Sequence, residues 1–280
     1  MRFGSSLVLL LLVPTLASAQ PAASPASPSA DVLKKQFAAR LEQNVQPTAS
    51  TIKIAILYEL IKQAEEGKLK LDDVRPLDRK KAVEGSGVLF NLGTPSLALR
   101  DYAMLMIILS DNTATNVLMD VVGMEAVTAR MRSLGLKDTK LRRHMLDGAA
   151  ARRGDENVSS ADEIARLFET FYRGTGLSPQ SRDEALRILK TRNESKSTPV
   201  IRAIPETVDI ASKPGELEGV RVDSGIVFVE NRPYIISVMA TYLQDDDAGN
   251  KAIEDLARVA YGYFSRLAAG TEYGRQIGRN

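Results

Sequence analysis

The run Thr51-Ile-Lys-Ile-Ala-Ile-Leu-Tyr-Glu-Leu-Ile61 is apolar on nearly every side of a helix. A helix apolar all round cannot lie on a surface, so the rest of the fold must be built around this segment. The reading places it from about Ser50 to Glu66, with Gly67 as its stop. Lys53 sits inside the run, one turn from its start, where an ammonium group is costly to bury. With 280 residues, 44% of them hydrophobic, the chain has enough apolar material to enclose such a helix.

Around that helix the periodicities change along the chain. Met1–Ala19 has a basic start at Arg2, an apolar stretch to Leu16, and a small-residue end at Ala17-Ser18-Ala19. That pattern predicts a signal peptide and export to the periplasm or the outside, and it is too short for a stable membrane span. Residues 20–30, rich in Pro, Ala and Ser, read as a disordered tether. Residues 31–280 then form one domain. Asp31 caps a helix to about Asn44, with Leu33, Phe37 and Leu41 on one face. Helices follow at 97–109, 113–122 and 124–134, a long loop at 138–158, and helices at 161–173 and 179–189. From Val208 the chain turns β-branched. Val222–Val229 and Tyr234–Tyr242 form a hairpin, and a last helix covers about 248–267. The fold class is α+β in two lobes, a helical lobe at about 50–190 and a sheet lobe from 31–49 and 191–268.

Composition narrows the chemistry. With 37 Lys+Arg against 35 Asp+Glu, the net charge of +2 does not suit a non-specific nucleic-acid binder. No Cys and a single His exclude thiolate and multi-His metal sites, so no metal and no cofactor are expected. A hydrolase with this composition takes its base from Lys, Asp or Glu.

Three short motifs supply such groups. In Ser50-Thr-Ile-Lys53 the i, i+3 spacing puts hydroxyl and amine on one helix face, at a helix start. A desolvated Lys53 can accept the Ser50 proton; the same residues could instead be an N-cap and a solvated lysine. Ser110-Asp111-Asn112 lies at a break between two apolar helices. There a hydroxyl and a carboxamide can point into a cleft, or all three can serve as caps. Lys213-Pro214-Gly215 falls on a strand leading to the hairpin. Its cation suits a substrate carboxylate, and the glycine permits close approach of a ligand to the backbone.

In this order and at these separations, the motifs resemble those of class A β-lactamases and penicillin-binding proteins. The resemblance runs from about Asp31 to Leu267. It includes Leu99-Arg-Asp-Tyr, Ser110-Asp-Asn-Thr-Ala-Thr-Asn116 and Gly219-Val-Arg-Val-Asp-Ser-Gly225. It implies a helical lobe and an antiparallel sheet flanked by N- and C-terminal helices. It also implies a serine hydrolase that opens β-lactam rings, a catabolic activity associated with antibiotic resistance. Ser50 would be the acylated nucleophile and Lys53 its base or relay, while Ser110 would pass a proton to the leaving nitrogen. Asn112 and Lys213 would hold substrate, with Arg221 assisting at its carboxylate. Backbone N–H groups of Ser50 and Glu216, beside Gly215, would form the oxyanion hole. The substrate would be a small β-lactam or a peptidoglycan-like molecule.

Three departures from that pattern stand out. The loop that should carry a water-activating Glu reads Arg142-Arg-His-Met-Leu-Asp-Gly148, which leaves Asp147 as the nearest match and Glu156 as an outside candidate. Pro214 replaces a hydroxyl residue. Only Asn44–Ala49 separates the first helix from the Ser50 helix, so the first two strands of the sheet are missing. Tyr234–Tyr242 then becomes an apolar edge, open to pairing with another chain. The alternatives are a penicillin-binding or D,D-peptidase-like protein with slow deacylation, and a non-catalytic peptidoglycan-binding paralogue.

Overall fold

The computed structural model describes residues 7–8, 44–191, 198–271 and 274–275. The tether, the helix expected over 31–44 and all of the leader except Leu7–Val8 lie outside the described residues. In chain order the elements begin with β1 (Leu7–Val8), β2 (Gln46–Pro47), a 3₁₀ turn at Ala49–Ile52 and α1 (Lys53–Glu65). Next come β3 (Val74–Pro76), 3₁₀ turns at Arg79–Lys81 and Leu89–Asn91, and β4 (Ser96–Ala98). They are followed by α2 (Leu99–Ile108), α3 (Asn112–Val122), α4 (Met124–Ser133), α5 (Gly148–Arg152) and β5 (Val158–Ser159). The chain continues with α6 (Ala161–Arg173), α7 (Pro179–Lys190), α8 (Pro199–Arg202), β6 (Ile210–Leu217), β7 (Val220–Val227), β8 (Tyr234–Thr241) and α9 (Asp246–Ala268).

The apolar run behaves as its composition requires. Ile52, Ile54, Ala55, Ile56, Leu57 and Leu60 are fully enclosed, and α2, α3, α4, α6 and α7 surround them. Each such Ile or Leu contributes about 1.5–3 kcal/mol by burial, which makes α1 the centre of the helical part. The neighbouring helices end on residues suited to it. Ser160 caps α6 by accepting the Glu163 N–H, and Gly174 closes that helix in the left-handed region. Asp245 caps α9 through the N–H groups of Asp247 and Ala248. The long loop expected over 138–158 contains the short α5 and leads into β5.

The main sheet has the order β1-β8-β7-β6, with β6, β7 and β8 antiparallel. Its side chains alternate between two packed faces. Ala211, Val222, Ile226, Ile235 and Met239 join the core around α1. Ile210, Val227, Tyr234, Ile236 and Val238 pack with α8 and α9. Sequence periodicity therefore located β7, β8 and α9 to within two residues. The outer edge of β8 differs from the open edge expected. Leu7–Val8 lies along it in parallel, opposite Ile236 and Ser237, and all eight residues of β8 are buried. No strand beyond β1 extends the sheet among the described residues.

One buried carboxylate marks the α8–α9 face. Asp223 on β7 has no exposed surface and accepts the Val200 N–H at 2.9 Å. Burial raises its pKa from the ordinary carboxylate range to about 6, and the Val200 bond only partly opposes this. The folded state therefore holds this proton more tightly than the unfolded chain. The stability the group adds is fully present below about pH 4 and is lost as the pH rises to about 6 and beyond. Asp223→Asn cannot ionise, so it should gain stability relative to the parent between pH 4 and pH 7. Thermal unfolding of both proteins at several pH values checks this, and a pH-independent gap would contradict it.

Candidate active site

Ser50 lies in the 3₁₀ turn that precedes α1, directly after Ala49, whose φ of 48° is left-handed. Such a conformation costs a non-glycine residue of order 1 kcal/mol and persists only where its surroundings hold it. Here Thr48 holds it, because both its N–H and its hydroxyl donate to the Asn157 carbonyl at 3.0 Å. The motif helix thus starts as a tight turn, and the α-helix proper begins at Lys53.

Lys53 is completely buried. Its Nζ donates to the Ser110 carbonyl at 2.6 Å, to Ser110 Oγ at 3.0 Å and to Asn112 Oδ1 at 3.0 Å. Lys213, 1% exposed on β6, donates from Nζ to the same Ser110 Oγ at 3.1 Å and to the Pro214 carbonyl at 3.0 Å. The three motifs therefore meet at one oxygen. Two lysines fill both lone pairs of Ser110 Oγ, so its own O–H is left to point elsewhere. Ser110 itself is left-handed, with φ 54°.

The middle residue of the second motif has a different task. Asp111 caps α3 by accepting the Ala114 N–H at 2.8 Å, and its other oxygen accepts the N–H groups of Val88 and Leu89 at 2.7 and 2.9 Å. It ties the 83–89 loop to the site. The Asn112 N–H donates to the Ser86 carbonyl at 3.0 Å, and a Cβ on Gly87 would collide with the Asp111 carboxylate. Sequence reasoning missed this loop. Its available signal was the pair Gly85 and Gly87, both at positive φ.

Gly215 packs β6 against the Ser50 turn. A Cβ there would lie 2.6 Å from the Thr48 carbonyl oxygen and 2.9 Å from the Ser50 nitrogen. The glycine is thus required first by the protein's own backbone. Glu216, the next residue of β6, has an exposed side chain.

Three of the sequence candidates are engaged by other partners. Asp147 caps the five-residue α5, accepting the Ala150 N–H at 2.9 Å, and that bond holds its carboxyl below the usual range. Arg221 pairs with Asp246 at 2.8 Å and donates to the Leu217 and Val220 carbonyls, bracing the β6–β7 turn. Glu156 pairs with Arg143 at 2.8 Å. The loop instead brings Leu146 to the cleft, left-handed at φ 61° and 54% exposed. A Cβ on Gly85 would lie 3.3 Å from Leu146 Cδ1 and 2.8 Å from Asn112 Nδ2. Asn116 pins this stretch by accepting the Met145 N–H at 2.8 Å. His144 Nε2 contacts Asp120 at 2.9 Å, outside the lysine cluster. No cluster of metal-ligating side chains occurs among the described residues.

Two buried lysines thus converge on one serine hydroxyl, with Ser50 in the turn just before the first of them. Residues 29–264 match the beta-lactamase enzyme family, and the chain belongs to it as a class A-type serine β-lactamase. It is 27% identical over 233 residues to the imipenem-hydrolyzing β-lactamase of Enterobacter cloacae, covering 81% of this chain and 79% of that one. It is 26% identical over 223 residues to β-lactamase PSE-4 of Pseudomonas aeruginosa, covering 78% and 76%. Among solved structures, the β-lactamase of Sphaerobacter thermophilus aligns with a TM-score of 0.73 at 32% identity, covering 79% of this chain and 84% of that one. PBP-A aligns with a TM-score of 0.71 at 28% identity, covering 80% and 83%.

Gly215→Ala should push β6 off the Ser50 turn. The expected result is a stability loss of about 1–3 kcal/mol in denaturant titration, from overpacking. Labelling by a fluorescent penicillin should slow at least a hundredfold. Unchanged labelling would show that the close approach is not needed.

Proposed function

We propose that this chain opens β-lactam rings by acylating Ser50 and releases the product through a slower second step. The observation that carries the first half is the convergence of Lys53 and Lys213 on Ser110 Oγ. The two ammonium nitrogens lie no more than about 6 Å apart, and a second buried positive charge is disfavoured at that range. This assists Lys53 in giving up a proton and serving as base for the Ser50 hydroxyl. Attack forms the acyl bond, and the Ser110 O–H donates to the departing lactam nitrogen. Lys53 then restores the Ser110 proton across their hydrogen bond. The N–H groups of Ser50 and Glu216 stabilise the oxyanion, while Asn112 and Lys213 hold the substrate's amide and carboxylate.

Release needs a base that activates water. The two loop carboxylates are otherwise engaged, Asp147 in capping α5 and Glu156 in pairing with Arg143, while Leu146 faces the cleft. These engagements are the support for a slower second step. A solved structure of a PBP-A variant is an acyl-enzyme complex with penicillin G, which supports the acylation half. The leader Met1–Ala19 supports export to the periplasm or beyond. No helix among the described residues is long and apolar enough to cross a membrane. Cleavage after Ala19 would take Leu7–Val8 from the edge of β8 and leave that edge open to pairing with another chain.

Intact-mass spectrometry after penicillin exposure tests the mechanism. A single adduct on Ser50 should form and persist for minutes or longer, and Ser50→Ala should show none while keeping its circular dichroism. An adduct on Ser50→Ala would overturn the assignment. Asp147→Asn should release product within about twofold of the parent rate. A drop of a hundredfold or more, the scale of general-base loss, would restore Asp147 as the base.

A further inference from the structure

The helical part carries a charge asymmetry that the β-lactam reaction does not use. Residues 130–153 contain eight basic side chains (Arg130, Arg132, Lys137, Lys140, Arg142, Arg143, Arg152 and Arg153) against only Asp138 and Asp147. Three of these cations are neutralised: Arg130 by Glu59 and Glu66, Arg143 by Glu156, and Arg153 by Asp155. Arg132, Lys140 and Arg142 form no ion pair among the described residues, and they line one cavity of about 320 Å³. Thr128, Ala129 and Leu141 also line it, with Glu125 as its single acidic residue.

The backbone that carries these cations is fixed before any ligand arrives. Lys140 is paired to Val158 through both its N–H and its carbonyl, at 2.9 and 3.1 Å. The Leu141 N–H donates to Thr128 Oγ1 at 3.1 Å, and the Arg142 N–H donates to Asn157 Oδ1 at 2.7 Å. Arg132 projects from the last turn of α4. Three cationic side chains without an ion pair among the described residues border this concavity, and their combined field draws a ligand with several negative oxygens. Two guanidinium groups also match the forked geometry of phosphate and carboxylate oxygens. The volume suits a small molecule and is at the low end for ligand pockets.

We infer that the cleft between α4 and residues 140–142 binds a small multivalent oxyanion, a phosphate or carboxylate compound, at a site separate from Ser50. Arg132, Lys140 and Arg142 contact the anion, Leu141 and Ala129 meet its apolar body, and Glu125 limits the negative charge the site tolerates.

Isothermal titration of the whole protein with pyrophosphate and with citrate tests the site, and the ratio of the two affinities separates phosphate from carboxylate preference. Saturable one-site binding is expected, weakening as sodium chloride is raised. Arg132→Glu with Lys140→Glu should weaken it at least tenfold while leaving fluorescent-penicillin labelling of Ser50 unchanged. Glu125→Gln should tighten it. If the double variant does not fold, Arg132→Gln, on an exposed side chain, should still weaken binding severalfold. No binding at millimolar pyrophosphate and citrate, or equal binding by folded parent and variants, would overturn the inference.

Discussion

The helical and sheet parts of the molecule meet at one polar atom, Ser110 Oγ. It receives one hydrogen bond from Lys53 at the start of the buried helix and one from Lys213 on the sheet. Helical and sheet parts are thus joined by a polar contact at their interface as well as by the apolar core. Such a contact is demanding, because two buried ammonium groups cost several kcal/mol each unless their donors are well placed. The left-handed Ser110 satisfies part of that demand by presenting its carbonyl, as well as its hydroxyl, to Lys53. The left-handed backbone at the junction of α2 and α3 is what lets one residue offer two acceptors to a single amine.

The same economy explains why the surroundings of the site contain few side chains free to vary. Asp111 cannot reach substrate, because its carboxylate is committed to the Ala114, Val88 and Leu89 N–H groups. Gly215 and Gly87 are fixed by backbone or carboxylate atoms that a Cβ would strike. The Ser50 turn hangs from Asn157 by way of Thr48, so the far end of the 137–157 loop helps hold the nucleophile in place. Asn157 also accepts the N–H groups of Arg142 and Arg143. One carboxamide therefore closes the base of that loop, and its neighbouring carbonyl steadies Thr48.

Much of this was legible in the residues, and the failures have physical causes. The central helix could be read because eleven consecutive residues left it no polar face. That Lys53, Ser110, Asn112 and Lys213 come together could be read because separated motifs in a set order carry more information than any one of them. Asp147 was chosen by position, and position does not reveal that a short helix begins at Gly148 and takes its carboxylate as a cap. The family resemblance implies a carboxylate-binding role for Arg221, and it does not reveal that the turn carbonyls and Asp246 lie within reach of that guanidinium. The 83–89 loop escaped notice because its contribution is made by backbone atoms, for which a Gly-Ser-Gly sequence is only a faint marker. The missing strands were visible as a short connection, whereas Leu7–Val8 beside β8 was hidden by reading the leader as a segment to be removed.

On the proposed mechanism, the two halves of a hydrolytic cycle fall on different parts of the chain. Acylation draws on α1, the Ser110 turn and β6, which are packed against one another and fix each other's geometry. Release draws on residues 142–156, a loop tied down at Met145 and at Asn157 but otherwise at the surface. A change within the first set disturbs the core and the nucleophile together. A change within the second set, such as the engagement of Asp147 as a helix cap, would on that mechanism leave the acylating groups in place and alter the lifetime of the ester. The chain thus keeps the parts that the buried helix enforces, and it departs from the expected pattern in the part that packing leaves free.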